Sequence, residues 1–413
     1  MSALLLTLLT AAGPLSPPCP PNASRDAASL KAALEGSDRD VWIGGTVQGD
    51  FEVKRGLALH GCENAVLQGS GKATILRIHG DDVVVEDVTF QGSGARVSFE
   101  DGALKLTGER ATVRRVAVRD TLYGIAFEQC HACLLEDTRI EGRAEIEENQ
   151  RGDGVKLWEA HGSTVRRLDV RGVRDLVVWY SRHVTLEDNR ITGGRYGTHF
   201  MYAHDSTVRR SVLRGNTVGI FFMYSARVLA EDNELSGARG PAGMGIGFKE
   251  SDAVTLRRNA IVANTTGLYL DYTPRDPKQP VVFEENMLAL NACALRTHSS
   301  ERGARFTDND FLDNDALVEV DGNGDALGID FAGNHWAAYA GYDLDSDGVG
   351  DVAFQVKRAS SGISDAHPEL HWFHGTAAFG LYDAVASALP YFGATLLLQD
   401  PTPAMRPHRE VPR

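Results

Sequence analysis

The chain has 413 residues, 43% apolar and 43 of them glycine, a composition that suits a turn-rich β protein and excludes a disordered one. Its formal charge of −14 leaves no cationic excess for phosphate backbones, so no nucleic acid partner is expected. Length alone suggests two or three domains, but a repeat runs through the chain, and a solenoid lengthens without splitting.

Residues 1–18 open with Ala3-Leu-Leu-Leu-Thr-Leu-Leu-Thr-Ala-Ala12 and a Pro-rich stretch, which reads as an export signal too short to span a bilayer. In an exported protein Cys19 and Cys62 could staple the N-terminal end. Residues 23–35 read as a short amphipathic helix, placed to cover the open end of a β-helix predicted over residues 23–340. Strand-like runs begin near Val41-Trp-Ile43. Cys130-His131-Ala132-Cys133 has metal or redox spacing, without a second pair to complete a zinc site.

From Gly154 the chain repeats itself. Gly154-Val-Lys-Leu157, Asp175-Leu-Val-Val178, Gly197-Thr-His-Phe200, Gly219-Ile-Phe-Phe222, Gly245-Ile-Gly-Phe248 and Gly267-Leu-Tyr-Leu270 start 21, 22, 22, 26 and 22 residues apart, the long step holding the insertion Gly237 to Gly243. A second column, Leu168, Asn189, Ser211, Asn233, Asn259, Asn286, Asn309 and Asn334, predicts a stacked amide ladder rather than unrelated surface turns. Apolar alternation over short runs is strand periodicity, and the fold class expected is all-β: a right-handed parallel β-helix with helical caps. The arginine pairs Arg166-Arg167, Arg209-Arg210 and Arg257-Arg258 read as a solvated face.

If Thr198 and Phe200 point inward, alternation sends His199 and Met201 outward. The first outward column is then Lys156, Val177, His199, Phe221, Gly247 and Tyr269, and the second is Trp158, Trp179, Met201, Met223, Lys249 and Asp271. Tyr180, Tyr202, Tyr224 and Tyr272 line up at the next corner. Val177, Trp179, Tyr202, Phe221 and Tyr224 compose a candidate partner surface, unless another part of the chain covers it. Methionine often only fills gaps, but thioethers beside imidazoles suit Cu(I) and make His199, Met201, His204, Met223 and Met244 candidate copper ligands.

In the C-terminal portion, residues 341–413, Asp343, Asp345, Asp347 and Asp351 flank Gly348 in an acidic loop suited either to a structural Ca²⁺ or to a metal-free turn. His367, His371 and His374 would share one helix face, a weaker metal candidate. Residues 376–398 read as an apolar helix interrupted at Pro390, a cap or docking extension.

Arg195-Tyr-Gly-Thr-His-Phe-Met-Tyr202, its echo Gly219-Ile-Phe-Phe-Met-Tyr-Ser225, the Asn column and the closing Asn334-His-Trp-Ala-Ala-Tyr-Ala-Gly-Tyr-Asp343 together resemble the NosD family, from about residue 40 to the C-terminus. The resemblance implies a periplasmic, non-enzymatic maturation factor for the copper centres of nitrous oxide reductase. It implies an ABC transporter partner made of the ATPase NosF and the membrane subunit NosY, which would hold the protein at the inner membrane. It also implies copper supplied by the chaperone NosL and apo nitrous oxide reductase as client. The competing class is a β-helix polysaccharide lyase or glycoside hydrolase, which needs converging carboxylates or a positioned base on one face.

Overall fold

Three short strands make one coil: Tyr196–Met201, His204–Arg209 and Val212–Arg214 are followed by Val218–Met223, Ala226–Glu231 and Glu234–Ser236 in the same places one coil on. Successive coils pair in parallel and in register, His199 beside Phe221 and Met201 beside Met223. The result is the expected right-handed parallel β-helix, with one face a 12-stranded sheet and the other two joined in a 24-stranded sheet. The computed structural model describes residues 18–143, 145–321, 324–358, 370, 376–388 and 395–409. Among these, no helix is long and apolar enough to cross a membrane. The N-terminal signal and the three histidines at 367, 371 and 374 lie outside the described residues.

Inward residues of each rung stack on their equivalents. Phe200 lies on Phe222 and Phe222 on Phe248, each pair 5.2 Å between ring centroids, and Phe283 lies on Phe306 at 4.2 Å. Glycine recurs at the start of each repeat because there is no room for more: a Cβ on Gly219 would sit 2.4 Å from the Gly245 carbonyl oxygen of the next coil.

At one corner the expected amide ladder runs from Asn233 through Asn259, Asn286 and Asn309 to Asn334, each Nδ2 donating to the next Oδ1 at 2.9–3.0 Å. Asp400 ends it by accepting from Asn334 Nδ2 at 3.0 Å. A second ladder joins Asn264, Asn291 and Asn314 at the neighbouring corner. These side chains also take the backbone N–H groups that the bends would leave buried and unsatisfied.

The arginine pairs are half of a ladder of charge and not a uniformly basic face. Along one outer column the pairing runs Glu86, Arg114, Glu136, Arg166, Glu187, Arg209, Glu231, Arg257 and Glu284, each beside the next. The adjoining left-handed corner alternates with it as Asp87, Arg115, Asp137, Arg167, Asp188, Arg210, Asp232, Arg258 and Glu285. Arg210, for example, reaches Glu187 at 2.9 Å and Asp188 at 2.8 Å.

The helix Ala27–Glu35, N-capped by Asp26, buries Leu30 and Leu34 against the first coil, and Cys19 is disulfide-bonded to Cys62 at that end. At the other end Trp336 is stacked between Phe311 and Phe354 at 4.1 and 4.7 Å. Phe354–Arg358 and Thr395–Asp400 form an antiparallel pair there, which corrects the expectation of helix over residues 376–398. The helix is Ala377–Ala388, and Thr395–Asp400 is a strand whose Leu397 and Leu398 are buried over the last coil. A short apolar run has no periodicity of its own to separate strand from helix. Cys130 and Cys133 form a disulfide with both residues buried, so these sulfurs are not thiolate ligands.

Candidate functional site

The outer side of the 12-stranded sheet carries both columns in the register expected: Lys156, Val177, His199, Phe221, Gly247 and Tyr269 in one, Trp158, Trp179, Met201, Met223, Lys249 and Asp271 in the other. Phe200, between His199 and Met201, points into the core. The face is less open than an outward column suggests, because its aromatic residues close over one another.

His199 is 6% exposed, walled by Tyr196, Trp179 and Phe221 with ring centroids at 4.9, 5.8 and 6.0 Å. Neither ring nitrogen has a hydrogen-bond partner, and neither does the buried Trp179 Nε1. Burial pushes the His199 pKa down to about 4, against the attraction of the Asp175 carboxylate, so the imidazole is neutral and keeps a lone pair. Val177 is 0% exposed, which corrects its assignment to a partner surface; it lies beneath the larger side chains beside it. Trp179, Met201, Phe221 and Met223 are partly exposed.

The other candidates are distributed around this box. Met244 lies diagonally beyond Phe221, and its Sδ lies 3.3 Å from where a Cβ on Gly247 would stand, so thioether and Phe221 ring share the space that glycine leaves. His204 is separated from the others, since the chain turns at Tyr202 and places His204 on the next face, where its Nδ1 accepts from the Ala226 N–H at 3.1 Å. Tyr180, Tyr202 and Tyr224 hold left-handed corner positions and stack on one another at 5.2 and 4.9 Å, the first two of them exposed.

Tyr196 belongs to the site and lies outside the columns drawn by alternation. The pairing slips between Asp175 and Val177, so its ring reaches the outer edge and stacks on Phe221 at 5.5 Å. It also carries Arg195, 4.5 Å from the ring centroid, which binds the buried Asp175. Arg174 reaches Asp153 at 2.8 Å, and burial pushes the Asp153 pKa up to about 6. The loop before Asp153 reaches along the coils, and Glu148 accepts from Thr217 Oγ1 at 3.0 Å.

Charged residues elsewhere on this face are committed to one another. Lys156 is held by Glu100 at 2.7 Å and Glu128 at 3.4 Å, and Lys249 by Asp271 at 3.1 Å. The cavity that Tyr123, Asp153, Lys156 and Glu100 line has a volume of about 10 Å³, room for one water and not for a sugar ring. At the far end Asp343, Asp345 and Asp347 can each place an oxygen within 4.8 Å of the others. Asp351 instead accepts from the Leu344 N–H at 2.7 Å.

The set that the face brings together is therefore one neutral imidazole without a partner, the thioethers of Met201 and Met223 on adjacent strands, and an indole. Soft neutral donors of this kind fit Cu(I).

The model of a family described as "Periplasmic copper-binding protein (NosD)" matches residues 136–341. A protein of Stutzerimonas stutzeri named "Probable ABC transporter binding protein NosD" is 23% identical, over 92% of this chain and 89% of its own. A Pseudomonas aeruginosa protein of the same name is 25% identical over 93% and 92%. Among solved structures, the A-module of the mannuronan C-5 epimerase AlgE6 of Azotobacter vinelandii superposes with a TM-score of 0.53 at 12% identity, over 76% of this chain and 95% of that one. A tailspike protein of E. coli bacteriophage HK620 gives 0.51 at 11%, over 78% and 63%. These two likenesses concern the β-helix fold alone.

Proposed function

Because the chain belongs to the NosD family, we propose that it is a periplasmic, non-enzymatic accessory protein that handles Cu(I) on its 12-stranded face during maturation of the copper centres of nitrous oxide reductase. It would act with an ABC transporter, as its relatives' names suggest, with NosY as membrane subunit, NosF as ATPase and NosL as copper donor. Copper is cargo in this reading. His199, Met201 and Met223 hold it, Met244 lies next along the face, and His204 around the corner serves arrival or departure. Trp179, Phe221, Tyr202 and Tyr224 offer the docking surface beside them.

One observation carries the reading: a buried, neutral imidazole with both nitrogens unsatisfied stands on the same face as two thioethers. Leaving such a group without a partner costs stability, and a metal ion would supply the missing bond. The glycan-enzyme alternative is disfavoured by the chemistry of the face, where Lys156 and Lys249 are neutralised by fixed partners, while the clustered carboxylates Asp343, Asp345 and Asp347 lie in the loop beyond the last coil.

The test is a comparison of ligation with packing. Met201→Ala with Met223→Ala should give a protein with normal melting that binds Cu(I) poorly and leaves the reductase short of copper. Phe200→Ala opens a core cavity and should lower stability by roughly 3–5 kcal/mol. Full copper binding and full maturation by the methionine double variant would overturn the assignment.

A further inference from the structure

We propose that Trp179 caps the copper site, the π face of its indole lying against a Cu(I) ion held by His199, Met201 and Met223; this rests on the copper reading above. Trp179, Met201 and Met223 pair directly in three successive rungs, so the indole and the two thioethers leave the backbone side by side on one face, their strands one spacing, about 4.8 Å, apart. Its plane is perpendicular to the His199 imidazole, at an interplanar angle of 88°. A buried indole N–H normally finds an acceptor, yet Nε1 has none, so hydrogen bonding does not account for where this ring sits.

Charge balance supplies the second argument. One imidazole and two thioethers are all neutral, and they leave the single positive charge of Cu(I) uncompensated in a partly buried setting. The nearby carboxylates are already engaged: Asp175 with Arg195, Asp271 with Lys249, and Glu100 and Glu128 with Lys156. What remains is the negative face of an aromatic quadrupole, strongest for tryptophan. Such a cap stabilises positive charge without adding a fixed negative one, and with only neutral soft donors around it the site suits a monovalent soft ion. It also leaves nothing anionic to be broken when the ion departs, which suits a site that passes its metal on.

The experiment is an anaerobic Cu(I) titration of the full chain against a chromophoric Cu(I) chelator, with indole emission followed in parallel. Wild type, Trp179→Leu, Trp179→Phe and the control Trp158→Leu are compared, each with a melting curve. Wild type should quench within the first equivalent. Trp179→Leu should lose most of that quench and bind roughly tenfold more weakly, with Trp179→Phe between the two, the size expected of a partly desolvated cation–π contact. Trp158→Leu, one rung farther from Met201, should retain affinity and quench. If Trp179→Leu binds as tightly as wild type, or keeps its quench, the cap is refuted while the His/Met ligands stand. If wild type takes up no Cu(I), the ligand assignment falls and the cap with it.

Discussion

An imidazole enclosed by three aromatic rings resists protonation, and His199 turns that resistance into a dependence of stability on pH. Its unfolded value is near 6.5 and its folded value about 4, so above pH 6.5 both states are neutral and nothing is lost. Between 6.5 and 4 the unfolded chain takes up a proton that the folded chain refuses, and stability declines as pH falls through that window. The metal-free protein should lose up to about 3 kcal/mol from this group alone by pH 4. His199→Phe, which repeats the residue at 221, should show a shallower loss in denaturant titrations at pH 7 and pH 4.5; equal losses in the two proteins would contradict the burial argument. The position of His199 on the outer face was legible in the sequence because alternation and a period near 22 residues locate it. Its burial was not, since that depends on Tyr196, which a slip in pairing moves out of phase. Val177, small and set between the longer Lys156 and His199 in its column, is buried for a reason that alternation alone does not reveal either.

At the scale of elements, the amide ladder was legible for a physical reason: an Asn with a fixed place in every coil has one use that a surface turn does not share. The second ladder had a signal as well, an Asn five residues after the first in Asn259 and Asn264, Asn286 and Asn291, Asn309 and Asn314. Asn286 accepts from Asn259 N and Nδ2 and donates to Leu256 O and Asn309 Oδ1. Asn286→Ala should therefore cost about 3 kcal/mol, by stranding buried donors and acceptors on both sides. Asn189→Ala should cost less, because its amide serves only Leu168 N and Val165 O, and paired urea titrations would rank them. The acidic loop is a second element with a test. Asp343 already accepts from Ser346 and Gly348 N–H, but three clustered carboxylates still repel one another. If the loop takes Ca²⁺, chelation should lower the melting temperature of wild type and leave Asp345→Asn with Asp347→Asn unmoved; an unchanged wild-type curve would mark a metal-free turn. The C-terminal strand was not legible, because Leu396 to Leu398 acquire their partner only when Phe354–Arg358 arrives across the end of the last coil.

For the molecule as a whole, the fold could be read from repetition and the ends from amphipathic patterning, whereas the alternation of acidic and basic rungs is visible only once every coil, not every second one, is aligned. Stacked parallel strands form slowly from distant segments and invite mispairing, and a run of coils such as Phe200, Phe222 and Phe248 offers each neighbour much the same inward surface. The charged column does distinguish them. It works as a parity check: a coil that docks one place too far meets its own sign, and only a slip by two is silent. Deleting residues 211–232 would seat Arg257 and Arg258 on Arg209 and Arg210, whereas deleting residues 189–232 would seat them on Glu187 and Asp188. The shorter solenoid should then be the sounder of the two, by roughly 2 kcal/mol in denaturation at low salt, with the gap narrowing as salt is added. The unit that such a chain can gain or lose without penalty is accordingly a pair of coils.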